Sequence, residues 1–417
     1  MHSLIVKSLT LGLVASILAN SINAHASDWP MFRGPGARSV AESANLPLEW
    51  SIADDQNIAW RADLPGRGVS SPIVVSGRVF VTCSDGLNRS RLHVVAIDAE
   101  SGERIWHRQF WATGRTFCNG TSAVAAPTPA SDGSRIFAYF SSSDVVALDL
   151  DGNLLWIRGL SIDFPGAGND IGLSSSPVVA GDVVVIQSEA QGNSFVTAID
   201  IHNGATRWDR ERPQQSVWSS PIVITQNHGG KQADAVVLQS GKGVSALLAG
   251  TGELLWEYPM ACSTSTSPVF DRLLCVPAGG LRALDVSEIG NSSEAVIWAE
   301  TKLGPGYSSP LIANGQVFVI SGAGVLTCGA LESGKILWRR RLGGRFWATP
   351  VISGNYLYCM NSEGKSFVVQ IDEKGRIVSE DEFGEDILAS PAIANDALFV
   401  RSHKHLWKIA REGAERN

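Results

Sequence analysis

Residues 96–106 read Ala-Ile-Asp-Ala-Glu-Ser-Gly-Glu-Arg-Ile-Trp, and the chain repeats that phrase. Ala147-Leu148-Asp149 with Gly152 and Trp156, Ala198-Ile199-Asp200 with Gly204 and Trp208, and Ala246 with Gly252 and Trp256 keep its spacing. Looser copies are Ala283-Leu284-Asp285 with Trp298, Gly334 with Trp338, and Ile371-Asp372 with Gly375. Each part has a physical job. An Asp at the end of a strand accepts backbone N–H bonds and fixes the turn that follows. A Gly supplies the positive φ of a tight hairpin. The small Ala suits a place where neighbouring sheets approach closely, and the Trp buries a large ring between them.

Upstream of these phrases, a small residue followed by proline opens a short apolar run. The openings are Ser71-Pro72, Ala126-Pro127, Ser176-Pro177, Ser220-Pro221, Ser267-Pro268, Ser309-Pro310, Thr349-Pro350 and Ser390-Pro391. The first interval is 55 residues and the last is 41. Units of this length, each holding several short alternating strands, predict an all-β, eight-bladed β-propeller with four strands per blade. The repeated tryptophans (Trp60, Trp106, Trp156, Trp208, Trp256, Trp298 and Trp338) then read as structural, one to a blade. Leu248 and Ala330 stand where a turn Asp is expected, and Ser379 stands where a further Trp is due.

The last unit stops after three strands, at His405-Leu406-Trp407-Lys408-Ile409-Ala410. The missing fourth lies upstream: Asn57-Ile58-Ala59-Trp60 is an outermost-strand sequence with no inner strands before it. Letting it complete the eighth blade closes the ring and removes the exposed strand edges. The chain therefore divides into a signal peptide over 1–26, an N-terminal arm over 27–56, the propeller over 57–410 and a tail over 411–417. Lys7, the apolar run from Leu11 to Ala19 and Ala24-His25-Ala26 form the pattern of a cleaved secretory signal. That run is too short to span a bilayer. The first cysteine is Cys83, so no lipid anchor is expected at the new N-terminus. These features predict an exported, periplasmic or extracellular monomer without a transmembrane segment.

Net charge is −7 and the longest basic run is Arg339-Arg340-Arg341, which speaks against a nucleic-acid partner. The six cysteines contain no CxxC and no CxxCH, so a zinc knuckle and a c-type haem are excluded. Most read as buried thiols, and Cys262 with Cys275 is the first candidate disulfide. His403 and His405 share a strand face but lack a third ligand, and no metal site is expected. HExxH, GxSxG and P-loop motifs are absent.

The repeated Ala-x-Asp…Gly-x-x-x-Trp element resembles the pyrroloquinoline-quinone (PQQ) repeat propellers, which include quinoprotein alcohol dehydrogenases and the outer-membrane assembly factor BamB. The opening Asp28-Trp29-Pro30-Met31-Phe32-Arg33-Gly34-Pro35 and Leu64-Pro65-Gly66-Arg67-Gly68 look like the exported PQQ-like propellers of planctomycete-type bacteria. The resemblance implies an eight-bladed ring and two functional classes. The dehydrogenases carry an adjacent cysteine pair over the cofactor, and this chain has no Cys-Cys. Their Ca²⁺ ligands map onto no motif here. A non-catalytic protein-binding or scaffold platform is therefore expected, with no cofactor. The alternative is a dehydrogenase using PQQ with Ca²⁺ to oxidise an alcohol or sugar.

Propellers bind ligands at the mouth of the central channel, on loops that enter the innermost strands. Here those loops carry Arg67, Arg115, Asn119, Trp218, Tyr307, Arg345, Phe346, Trp347 and Asp386. Aromatics with arginine suit a peptide segment or a planar anion. The competing reading is that the aromatics merely plug the channel. Two long Gly/Pro-rich loops, 107–127 and 161–177, are further places where function can sit.

Overall fold

The computed structural model describes residues 28–42, 44–289, 295–372 and 374–411. The signal segment lies outside them, as do residues 412–417 of the tail. Eight antiparallel sheets follow one another around a ring. Blade 1 runs from its innermost strand β1 (Ile73–Val75) through β2 (Arg78–Asp85) and β3 (Arg91–Asp98) to the outermost β4 (Arg104–Trp111). Blades 2 to 7 repeat this order over 130–159, 178–211, 222–259, 269–300, 311–341 and 351–382. Blade 8 takes three strands from residues 392–410, and Ile58–Asp63 supplies the fourth, with Arg61 opposite Trp407. The ring closes as the truncated last repeat predicts.

The repeated phrase acquires a sharper meaning in this register. In blade 1, Phe80, Ala96 and Trp106 lie in one row across three strands, and the same row reads Phe137, Ala147 and Trp156 in blade 2. The Phe and Trp rings meet over the Ala, with centroids 5.7 and 5.9 Å apart. The Ala is small under this contact, on a face that also packs toward the next blade as expected: Ala96 clusters with Ile136 of blade 2, and Ala147 with Val184 and Ile186 of blade 3. The Gly has a second duty. Gly102, Gly152, Gly204 and Gly252 all hold positive φ, and each lies under the Trp ring of the preceding blade. A methyl group on Gly204 would sit 2.8 Å from Trp156. Trp106, Trp156 and Trp208 then donate their indole N–H to Leu150 O, Ile201 O and Ala249 O of the next blade, at 2.8, 3.1 and 2.7 Å.

The turn aspartates behave as the sequence predicts. Asp98 accepts from the backbone N–H of Glu100 and Ser101, Asp149 from Asp151 and Asn153, and Asp200 from His202 and Asn203. Where Leu248 replaces the Asp, Gly252 N–H still donates to Leu248 O at 2.8 Å, and Thr251 Oγ1 accepts from Glu253 N–H, so the turn holds without a carboxylate.

Blade 2 requires one correction. Its innermost strand is Ala130–Ser131, so its opening is Thr128-Pro129 rather than Ala126-Pro127. The segment holds two prolines two residues apart, and spacing alone selects the wrong one. The cysteines require another. All six thiols are free. Cys275 packs with Trp298 and Leu303, whereas Cys262 packs against the Ile222 and Trp256 cluster, so the two occupy separate cores.

The described arm residues, 28–42 and 44–56, cross the end of the ring opposite the entry loops. Trp29 exchanges both backbone bonds with Val74 of blade 1, and Pro30 O accepts from Ser131 of blade 2. The buried Arg33 donates to Pro268 O of blade 5 and Pro310 O of blade 6. Val40–Ala41 then pairs in parallel with Val351–Ser353 of blade 7, and Asn45 N–H donates to Asp396 of blade 8.

Candidate binding site in the central channel

The residue ahead of each proline turns out to need its hydroxyl. Ser71 N–H donates to Thr128 Oγ1 (2.9 Å), Thr128 N–H to Ser176 Oγ (3.0 Å) and Ser176 N–H to Ser220 Oγ (2.9 Å). The chain of bonds continues through Ser267, Ser309, Thr349 and Ser390 at 2.8–3.0 Å. A belt of Ser and Thr thus links blade 1 through to blade 8 around the channel by seven bonds. Sequence reading took these residues as merely small. The signal that could have found the belt is that, once blade 2 is registered at Thr128, all eight openings bear a hydroxyl.

These eight residues line a cavity of about 300 Å³ on the ring axis. Phe32 of the arm lines it as well, from the end of the ring that the arm crosses. Trp218, Tyr307 and Trp347 line the other end, with Asn119, Thr121, Ile171 and Leu388. Tyr307 and Trp347 stack face to face, with centroids 4.2 Å apart and planes within 4°. Trp218 is half-buried and fixed by its N–H bond to Gly172 O at 2.8 Å.

Of the residues expected at the mouth, Asn119, Trp218, Tyr307 and Trp347 line this cavity. Arg67, Arg115, Arg345 and Asp386 do not. Arg67 donates to Gly120 O, Arg115 pairs with Asp170 at 2.8 Å, and the Arg345 and Asp386 side chains are exposed. Phe346 turns inward onto Phe367 of blade 7. His403 faces Gly68 O, while His405 lies between Glu385 and Asp63, so the two histidines serve different neighbours.

A second feature lies on the two long loops singled out by the sequence. The 3₁₀ turn Leu87–Arg89 and both long loops are tied together: Arg89 donates to Cys118 Sγ at 2.6 Å, and Asn119 N–H to Ile171 O at 2.9 Å. Together they expose Leu87 (85 %), Phe117 (62 %) and Ile162 (71 %), with Trp111 and Ile171 alongside. Large apolar side chains exposed on neighbouring tied loops are a candidate interaction surface.

PQQ is a planar tricarboxylate, and burying its charges requires cations or a metal beside it. No charged side chain lines the cavity. Among the described residues, no group of three or more His, Cys, Asp and Glu is placed to hold a metal ion. The residues present do not fit that cofactor.

The family model described as "Outer membrane protein assembly factor BamB" matches residues 50–227, 162–276 and 279–378. Curated proteins of that name are similar to the chain. The one from Burkholderia pseudomallei is 24 % identical over 390 residues, covering 89 % of this chain and 92 % of its own. The one from Moranella endobia is 22 % identical over 335 residues, covering 79 % and 71 %. Among solved structures, BamB from Moraxella catarrhalis superposes with a TM-score of 0.63 at 16 % identity, over 86 % of this chain and 99 % of that one. The quinohemoprotein alcohol dehydrogenase from Comamonas testosteroni gives 0.70 at 13 % identity, over 94 % and 82 %. At those identities the superpositions show the shared ring alone, which assembly factors and dehydrogenases build alike. The family match, running through most of the blades, is what places this sequence: it belongs to the BamB family of PQQ-repeat propellers.

Proposed function

We propose that the protein is an exported, monomeric, non-catalytic propeller that docks another protein on the entry-loop face of the ring. The observation that carries this reading is the tied set of loops around Leu87, Phe117 and Ile162. They expose large apolar side chains on a rigid scaffold, which is the composition of an interface core. The curated relatives are named as assembly factors for outer membrane proteins. A partner among envelope proteins is the corresponding proposal here. The channel lining supports the non-catalytic half of the reading, because the dehydrogenase alternative needs a charged cofactor and a metal.

The test pairs capture with activity. A double substitution, Leu87→Glu with Phe117→Glu, should abolish cross-linking to a partner identified by mass spectrometry and leave the melting temperature unchanged. The purified protein should reduce no dye with PQQ, Ca²⁺ and simple alcohols or aldoses above a protein-free blank. Retained cross-linking in the double variant moves the docking face elsewhere. Dye reduction replaces the reading with the dehydrogenase.

A further inference from the structure

The axial cavity has a chemistry of its own. Seven of its eight hydroxyl oxygens accept a backbone N–H from the neighbouring blade, which fixes where each oxygen sits. A hydroxyl carries one donor and two lone pairs, so each retains an O–H and a lone pair. Among the described residues none of the eight donates to the protein. The cavity wall therefore presents a ring of small donor–acceptor groups at fixed positions. Phe32 lines one end with an apolar ring, and Trp218 and the stacked Tyr307–Trp347 pair line the other. With no charged side chain in the lining, an ionic guest would lose its hydration without compensation. A volume of about 300 Å³ stands at the lower end of the range for ligand pockets.

We propose that the cavity binds one ring of a neutral saccharide. A pyranose is uncharged, carries hydroxyls around its rim that both donate and accept, and has C–H faces that lie flat on aromatic rings. The rim meets the hydroxyl belt, one face meets Phe32, and the other lies toward the aromatic lip. The arm is part of the site, since it supplies Phe32. The docking loops also supply Asn119, Thr121 and Ile171 to the cavity, but this proposal does not depend on the docking residues Leu87, Phe117 and Ile162, which are outside its lining.

The probes are maltose, cellobiose and N,N′-diacetylchitobiose, set against glucuronate and glucosamine as charged counterparts. Saturation-transfer NMR, followed by calorimetry, should show saturable binding of at least one neutral sugar. The charged sugars should bind weaker by about tenfold or more. Phe32→Trp, which fills the cavity from the end the arm crosses, should abolish binding. Trp347→Ala should weaken it by about tenfold without lowering the melting temperature of the free protein. Thr349→Val, which keeps the shape and removes one hydroxyl, should weaken it as well. The proposal is overturned if none of the three neutral sugars binds, if charged sugars bind equally well, or if binding survives both Phe32→Trp and Trp347→Ala. Preferential binding of an uncharged alanine peptide over the sugars also overturns it.

Discussion

Between blades 3 and 4, Trp208 lies on Gly252, and its N–H is bonded to Ala249 O at 2.7 Å. Between blades 7 and 8, the position of that Trp is held by Ser379, whose hydroxyl donates to Leu48 O of the arm. The ring that fills this seam belongs to Trp50, 1 % exposed, stacked near Tyr358 and tilted against Phe383. The reason for the difference is topological. Blade 8 has no turn between its third and fourth strands, because the ring closes there, so no turn Gly exists for a Trp to cover. The arm repairs the gap with a tryptophan from outside the repeat. The repair is incomplete in one respect: Trp50 Nε1 is buried with no partner among the described residues. At a repeat seam the indole N–H is bonded across to the next blade, while at the closing seam the arm makes the bonds and the indole N–H has no acceptor among the described residues.

The largest effect should come from removing either ring. Trp208→Ala and Trp50→Ala should each destabilise by about 3–5 kcal/mol in denaturant unfolding, the usual range for a fully buried large aromatic. Equal losses establish the arm as part of the core. A loss under about 1 kcal/mol for Trp50→Ala alone, against that range, breaks the equivalence of the two seams.

Phenylalanine at the same two positions separates packing from bonding. Trp208→Phe strands Ala249 O in a buried place and should cost about 1–3 kcal/mol beyond the lost ring area. Trp50→Phe removes a buried N–H that has no acceptor, and should cost less. Equal costs would mean that Trp50 finds an acceptor in solution.

The repeat seams were legible because their parts lie within a few residues of each other. Gly204 and Trp208, or Asp200 and Gly204, are local patterns with local causes. The Ala ahead of them was legible as small, but part of its reason, the Phe80 and Trp106 contact over Ala96, needs three strands in register. The hydroxyl belt was half legible: Ser and Pro were seen, and the bond to the next blade was not, because it joins residues some 40 positions apart. The exposed apolar loop residues were least legible. Leu87, Phe117 and Ile162 follow no period, and an isolated apolar residue in a loop looks the same whether buried or exposed. Trp50 was only half within reach: one blade lacked a Trp, but the arm holds two outside the repeat, Trp29 and Trp50, and nothing local says which one fills the seam.

The smallest effect has the most diagnostic sign. Backbone and Arg207 hydrogen bonds hold the Asp200 carboxylate below the ordinary range, with the Arg207 bond the largest contribution. At the closing seam, burial pushes the Asp381 carboxyl above that range, only partly offset by the Trp50 backbone N–H, and its Oδ2 has no partner. A depressed carboxyl stabilises the fold above its unfolded value, and that stability is lost as pH falls through the folded value. A raised one does the opposite, weakening the fold at neutral pH and ceasing to do so once protonated. Asp200→Asn should therefore lower stability at pH 7, by an amount that begins to shrink at about pH 4 and is lost as pH falls through the depressed folded value. Asp381→Asn should raise it at pH 7, and its advantage should likewise fade toward acid. Each change should stay at about 1 kcal/mol, since Arg207, the main partner of Asp200, is half exposed and Asp381 is only partly buried, so solvent screens both. Urea unfolding of the two variants and the parent from pH 3 to 7 reads the signs directly. If both variants shift in the same direction, the closing seam is electrostatically like the others, and the contrast between them reduces to the missing glycine and the borrowed tryptophan.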